Sequence, residues 1–303
     1  MAFLRSLTSE SINVLKEEEL FTKKLFEDCQ KGEVFPAVRQ NRVDFYHKGG
    51  KLFAWEKGKG FSTHHKYASV LHPEPKDYIL ESDLRASTGK FHLITDFCEG
   101  YSRIKENCSL YSGVESAGVS ELYHRFSLAA KPRKDVVVVD IEVAFNKEDE
   151  SNCEIDINSG KLGKKGNRID IVTLERSTRK LRFFEAKHYT NRASLRNEER
   201  IPALCEQLSN YDSELRAHDK DIIEAYKNQI FAVNILFDTD IPLPSEIDYT
   251  TRAVIFGFDD EQKAYLDKYI VTKENGLKGR TYSIGKISNA KLETMFKGGT
   301  QKW

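Results

Sequence analysis

Gly166-Asn167-Arg168-Ile169-Asp170-Ile171-Val172-Thr173-Leu174, followed by Lys180-Leu181-Arg182-Phe183-Phe184-Glu185-Ala186-Lys187, is the stretch whose reading decides the rest. Alternating apolar and polar residues on either side of a polar turn predict a β-hairpin. Side chains alternate along a strand with period two, so Glu185 and Lys187 share one face of the second strand, and Asp170 lies on the first. Two carboxylates and an ammonium thus converge among apolar neighbours, where unpaired charge is expensive. A divalent cation held by the carboxylates would offset that cost.

Working outward, Asp135-Val136-Val137-Val138-Val139-Asp140-Ile141-Glu142-Val143-Ala144-Phe145 is a β-branched run typical of a central strand. Before it, Val119, Leu122, Phe126 and Ala129 recur at helical spacing, and Pro132 stops that helix. Between strand and hairpin, residues 146–165 are polar and read as a long loop. After the hairpin, Pro202 opens a helix whose stripe is Ile201, Leu204, Leu208, Tyr211 and Leu215. A short helix over 221–229, a buried strand over Ile230–Phe237, a strand over Arg252–Phe258, a helix over Asp260–Tyr269 and a strand near Arg280–Ile284 complete the expectation.

Toward the N-terminus, residues 8–30 read as one amphipathic helix ending near Gly32. Residues 43–56 read as a hairpin around Lys48-Gly49-Gly50-Lys51. Gly58-Lys59-Gly60-Phe61-Ser62-Thr63-His64-His65-Lys66-Tyr67 mixes glycine, basic and aromatic residues. Such a loop either contacts phosphates and stacks on bases or is an ordinary polar turn. His64 and His65 are adjacent, so from a strand they would point to opposite faces and not share one ion. Residues 73–112 read as strands and loops. A composition change near Ser112-Gly113 divides the chain into an N-terminal α+β accessory module, 1–112, and a second domain, 113–303.

Composition limits the function classes. The 303 residues carry 47 Lys+Arg against 47 Asp+Glu, so a uniformly basic nucleic-acid-coating protein is excluded. Charge is nonetheless uneven: between 161 and 196 eleven Lys or Arg stand against three acids, 11 − 3 = +8. No apolar run approaches the ~20 residues of a membrane helix, and no signal-peptide pattern opens the chain. The five cysteines are scattered without a Cys-x-x-Cys pair, which argues against a disulfide framework or zinc ribbon and for reduced thiols in a cytoplasmic protein. The phosphate-binding pattern Gly-x-x-x-x-Gly-Lys-Ser/Thr is absent.

The order helix, strand, strand, strand, helix, strand, with Asp170 on the second strand and Glu185-Ala186-Lys187 on the third, resembles the PD-(D/E)XK nuclease superfamily. Gln207-Leu208-Ser209-Asn210-Tyr211 is similar to the Gln-x-x-x-Tyr helix of its RecB-like branch. Glu-x-Lys occurs twice more, at Glu74-Pro75-Lys76 and Glu261-Gln262-Lys263, but neither follows an Asp-bearing strand. The resemblance implies an α/β fold, with an αβββαβ core around a mixed central sheet, and metal-dependent phosphodiester hydrolysis, expected on DNA. Mg²⁺ (or Mn²⁺) would be held by Asp170, Glu185 and the Ala186 carbonyl. Lys187 would position the attacking water and counter charge on phosphate.

The resemblance also implies an acid or histidine on the first helix, for which Glu121 is the expected third acid, with His124 one turn on; Glu142, which shares a face of the first strand with Asp140, could supplement the shell. Gln207 would hold the catalytic lysine, and Tyr211, Lys164, Lys165, Arg168 and His188 would contact substrate. A non-cleaving nucleic-acid-binding or protein-interaction module of the same fold is the alternative, with the N-terminal module serving a homodimer or a separate partner.

Overall fold

The computed structural model describes residues 3–70, 92–131, 134–145, 168–196 and 202–297. The expectations for the basic loop up to Lys165, for Glu74-Pro75-Lys76 and for Pro132 fall outside these residues. What is described is a mixed α/β fold built on two main sheets.

The N-terminal part begins with α1 (Ser9–Glu17), capped by Thr8, whose side chain accepts the Ser11 amide. The single helix expected over 8–30 is broken at Glu18, which takes extended backbone; the chain resumes through a π-helical turn (Phe21–Leu25) into α2 (Phe26–Gln30). Next come four antiparallel strands, β1 (Phe35–Arg39), β2 (Arg42–His47), β3 (Gly50–Glu56) and β4 (Gly60–Ser62). The β2–β3 hairpin is the one expected, and its turn requires glycine. Gly49 has φ +84°, and a Cβ there would lie 2.3 Å from the Ser116 Cβ. After α3 (His65–Ala68), β5 (Ser69–Val70) and β6 (His92–Leu93), α4 (Tyr101–Leu110) follows, where strands and loops were expected. Its buried Tyr101, Ile104 and Cys108 sit at helical spacing, a period hidden among its polar residues.

The second sheet has the order β12-β11-β9-β8-β7. α5 (Val114–Phe126) leads to β7 (Val136–Ala144), β8 (Arg168–Glu175) and β9 (Lys180–His188), an antiparallel meander. Then come α6 (Arg192–Leu195), α7 (Ala203–Ala217) and α8 (Asp219–Phe237). A short β10 (Glu246–Ile247) and then β11 (Arg252–Phe256) join β9 in parallel, and β12 (Thr281–Ile284) joins β11 in parallel. α9 (Asp260–Tyr265), extended by a π-helical turn (Leu266–Ile270), lies between β11 and β12; α10 (Leu292–Lys297) closes the described chain.

The strand expected over Ile230–Phe237 is instead the second half of α8. Ile222, Tyr226, Gln229, Ile230, Val233 and Phe237 form one continuous buried stripe, whereas Phe231 and Ile235 are exposed on the opposite side. Two apolar residues facing outward turned a helical period into an apparent apolar run. The sheet strand expected there is supplied by β11.

Helices cover both faces of the large sheet. Leu204 and Leu208 of α7 pack on Ala253 and Ile255, and Tyr226 of α8 meets Phe183 at 6.2 Å between rings. On the other face Gly118 of α5 admits the Phe256 ring, and Phe296 of α10 lies under the Arg182 guanidinium. One hydrophobic cluster runs across position 112/113, joining Phe35, Phe45 and Phe53 to Val138, Ile171 and Phe183. Asp140, fully buried, ties the same two parts: it accepts Arg5 Nε at 3.2 Å and Arg39 Nη1 at 2.7 Å. No helix among the described residues is long and apolar enough to cross a membrane.

Candidate active site

The β8–β9 ladder stops at Ile171↔Phe184, one step short of pairing Asp170 with Glu185. Beyond that point the Asp170 carboxylate replaces the missing backbone partner: its Oδ2 accepts the Ala186 amide at 2.7 Å. The N–H and C=O of one strand residue leave along the same edge. The Ala186 carbonyl therefore faces the same opening, while the next residues of β9 pair with β11 on the far side. The strands part here, and a cleft of about 440 Å³ lies at their end.

Continuing the register of the flanking pairs brings Glu142 level with Asp170, and Asp170 level with Glu185 beyond the end of the ladder; these three carboxylates and Lys187 all line the cleft. Glu142 has φ +51°, a left-handed conformation unusual for a non-glycine residue inside a strand. Glu185 is 1% exposed; its Oε1 accepts from Lys187 Nζ, and its Oε2 is buried without a hydrogen-bond partner. Four carboxylates line the cleft (Glu115, Glu142, Asp170, Glu185) against two fixed cations, Arg168 and Lys187.

Electrostatics record that excess. Burial, then the charge of Glu185, holds the Asp170 carboxyl well above the ordinary carboxylate range. Burial raises Glu185 as well, against the opposing pull of Lys187 and the Gln207 amide. For Lys187 burial acts to lower the pKa, but the charges of Glu185 and Asp170 outweigh it and leave the ammonium held above the usual lysine value.

The Gln207–Tyr211 pair buttresses this arrangement from α7. Gln207 Nε2 donates to Tyr211 Oη at 2.9 Å, and Tyr211 Oη donates to the Arg168 carbonyl at 2.6 Å, fixing the strand that carries Asp170. Arg168, Gln207 and His188 line the cleft; Tyr211 is buried behind it, a strut and not a surface contact. The His188 ring bonds Thr190 Oγ1 at 2.7 Å and leans on Gly257, where a Cβ would lie 2.0 Å from Nε2. Lys164 and Lys165 lie outside the described residues.

Glu121, the expected third acid, is not brought to this site. Its carboxylate lies 3.6 Å from Lys48 Nζ on another side of α5, and it does not line the cleft. His124 lines a separate hollow with His47 and Tyr123. The acid that α5 delivers is Glu115, whose Oε1 accepts the His188 amide at 3.0 Å and Asn191 Nδ2 at 2.8 Å. Apolar periodicity starts this helix only at Val119, which leaves Glu115 ahead of it. The missed signal was Gly113, the N-cap that starts α5 one turn earlier.

Among the described residues no group of three or more His, Cys, Asp or Glu side chains is arranged as a ready metal cage. The donor set still suits a hard divalent cation: carboxylate oxygens, one of them buried and unpartnered, beside a carbonyl at a strand edge. No family model matches the chain, and no curated protein or solved structure is significantly similar to it.

Proposed function

We propose that the protein is a metal-dependent nuclease acting on DNA, with a PD-(D/E)XK-like core in residues 113–303 and an accessory module in 1–112. The observation that carries the reading is the convergence of Asp170, Glu185, Lys187 and Gln207 on one cleft, with Asp170 held above its ordinary pKa by burial and the charge of Glu185, and Glu185 held above its own by burial. A buried Glu185 Oε2 left without a hydrogen-bond partner beside a second raised carboxyl supports a site over a structural ion pair. The order α5, β7, β8, β9, α7 and β11 supports it too, since it follows the αβββαβ pattern apart from the additional helices α6 and α8 and the two-residue strand β10.

Asp170, Glu185 and the Ala186 carbonyl would hold Mg²⁺ or Mn²⁺. The bound ion supplies charge neutralisation on a non-bridging phosphate oxygen and acidifies a water. The chain's own groups do the rest. Lys187, held by Glu185, orients the attacking water and opposes the charge that grows on phosphate. Gln207 steadies Glu185, and Tyr211 holds the strand bearing Asp170. The first turn of α5 opens on the cleft through Gly113, Val114, Glu115 and Ser116. Its positive dipole end favours an anion there.

The test is incubation of linear, circular and single-stranded DNA, and of RNA, with Mg²⁺, Mn²⁺ or EDTA. Cleavage is expected with either metal and not in EDTA, and it disappears in Asp170→Ala and Lys187→Ala. Cleavage that survives EDTA or those substitutions overturns the reading, and salt-sensitive binding without cleavage makes the protein a binding module instead.

A further inference from the structure

The cleft chemistry leaves a patch on its N-terminal rim unexplained. The junction of α4 and α5 exposes three apolar side chains within five positions: Leu110 at 74%, Tyr111 at 58% and Val114 at 60%. Val114 belongs to the cleft wall, and Gly113 beside it does too, so Tyr111 stands two residues from the site. Grouped exposed apolar residues at the edge of a cleft mark a contact surface.

Tyr111 is part of a cation–aromatic cluster. Its ring lies 6.0 Å from that of Tyr67, and Lys66 Nζ sits 4.8 Å from the Tyr111 centroid and 5.0 Å from the Tyr67 centroid. Tyr67 is buried and lies beneath Tyr111 with the rings tilted by 52°, whereas Tyr111 is largely exposed. The backbone under Lys66 and Tyr67 is hydrogen-bonded to its surroundings. Asn107 Nδ2 donates to the carbonyls of Tyr67 and Ser69 at 2.8 and 2.9 Å, and His64 Nδ1 accepts the Lys66 amide at 3.1 Å. Gly50 lets the β2–β3 turn come close, since a Cβ there would lie 2.9 Å from Tyr67 Oη. Lys66 and Tyr67 come from the Gly58–Tyr67 segment, whose mixture of basic and aromatic residues the cleft itself does not use.

An exposed aromatic ring beside an ammonium suits a nucleobase stacked on the ring, with its phosphate near the charge. A regular duplex hides its base faces in the stack, so only unpaired nucleotides offer one. We infer that Tyr111, Leu110, Val114 and Lys66 form a base-stacking platform, and that the substrate delivered to the cleft is single-stranded or carries an unpaired end. The link to catalysis rests on the nuclease reading; the platform itself rests on the rim geometry.

Fluorescence anisotropy with a labelled single-stranded oligonucleotide and a blunt duplex, in EDTA and on the full chain, tests it. The single strand is expected to bind more tightly than the duplex. Tyr111→Ala weakens single-strand binding about tenfold, within the span of one lost base stack, and leaves duplex binding unchanged. Tyr111→Trp restores it, and Lys66→Gln flattens its salt dependence. Melting curves confirm that each variant is folded. Equal single-strand affinity in wild type and Tyr111→Ala, or a preference for blunt duplex, overturns the inference. So does loss of self-association in Tyr111→Ala with nucleic-acid binding intact, which would make the patch a protein interface. The two readings fail separately: cleavage without Tyr111-dependent binding removes the platform alone, and Tyr111-dependent binding without cleavage in Mg²⁺ or Mn²⁺ removes the nuclease alone.

Discussion

Asp170 Oδ2 accepts the Ala186 amide at 2.7 Å where the β8–β9 ladder ends. One carboxylate therefore holds the strand carrying Glu185 and Lys187 and also contributes charge to the cleft they share. Placing an acid at that junction is costly, and the cost can be measured.

A carboxyl whose folded-state pKa lies above its unfolded value contributes stability that is present below the unfolded value and lost as pH rises through the folded one. Asp170 and Glu185 are both raised. The metal-free protein should accordingly lose stability from about pH 4 upward across the window of those raised values. Asp170→Asn keeps an acceptor for Ala186 and removes the charge. It should flatten this loss and raise the neutral-pH melting temperature by about 2 °C or more, while abolishing cleavage. Thermal melts across pH in EDTA check both parts.

Lys187 is the counter-charge of a carboxylate that is almost wholly buried. Lys187→Met should cost about 3 kcal/mol at pH 8, because it strands the Glu185 charge. The loss should be smaller at pH 5 than at pH 8, because burial raises the Glu185 carboxyl and lower pH favours its neutral form. Denaturant unfolding at the two pH values measures the difference, and equal losses would mean that Glu185 does not change protonation between them.

Glu115 and Glu121 separate the cleft from the rest of α5. Glu115→Gln weakens the hold on His188 and Asn191 and should lower cleavage about tenfold or more. Glu121→Gln removes an exposed pair with Lys48 and should change neither activity nor stability measurably. Steady-state cleavage rates of the two variants, compared side by side, decide the third acid.

Tyr211→Phe removes the hydroxyl that bonds the Arg168 carbonyl and receives Gln207. The expected stability loss is about 1 kcal/mol, the usual size for one hydrogen bond. Cleavage should fall further than substrate affinity, since Tyr211 lies behind the cleft wall. An affinity loss as large as the rate loss would instead make it a substrate contact.

The hairpin and its charges were legible because strand alternation fixes which side chains share a face, and Asp170, Glu185 and Lys187 needed nothing else. The Gln207–Tyr211 helix was legible for the same reason at helical period. Glu115 was not, because its selection depends on where α5 starts, and Gly113 marks that start without a side-chain cap. The strandlike run over Ile230–Phe237 misled because the exposed Phe231 and Ile235 are apolar, which removes the polar face a helix normally shows. The splaying of β8 from β9 was beyond the sequence altogether, since it follows from pairing with β11, a strand far along the chain.

Calorimetric titration of Mn²⁺ into the metal-free protein tests the central claim most directly. The account predicts saturable binding at neutral pH that weakens as the pH falls, because protons compete for the raised carboxyls of Asp170 and Glu185. It also predicts that binding is lost in both Asp170→Asn and Glu185→Gln, with the fold intact. Binding of equal strength in wild type and in those two variants would contradict it.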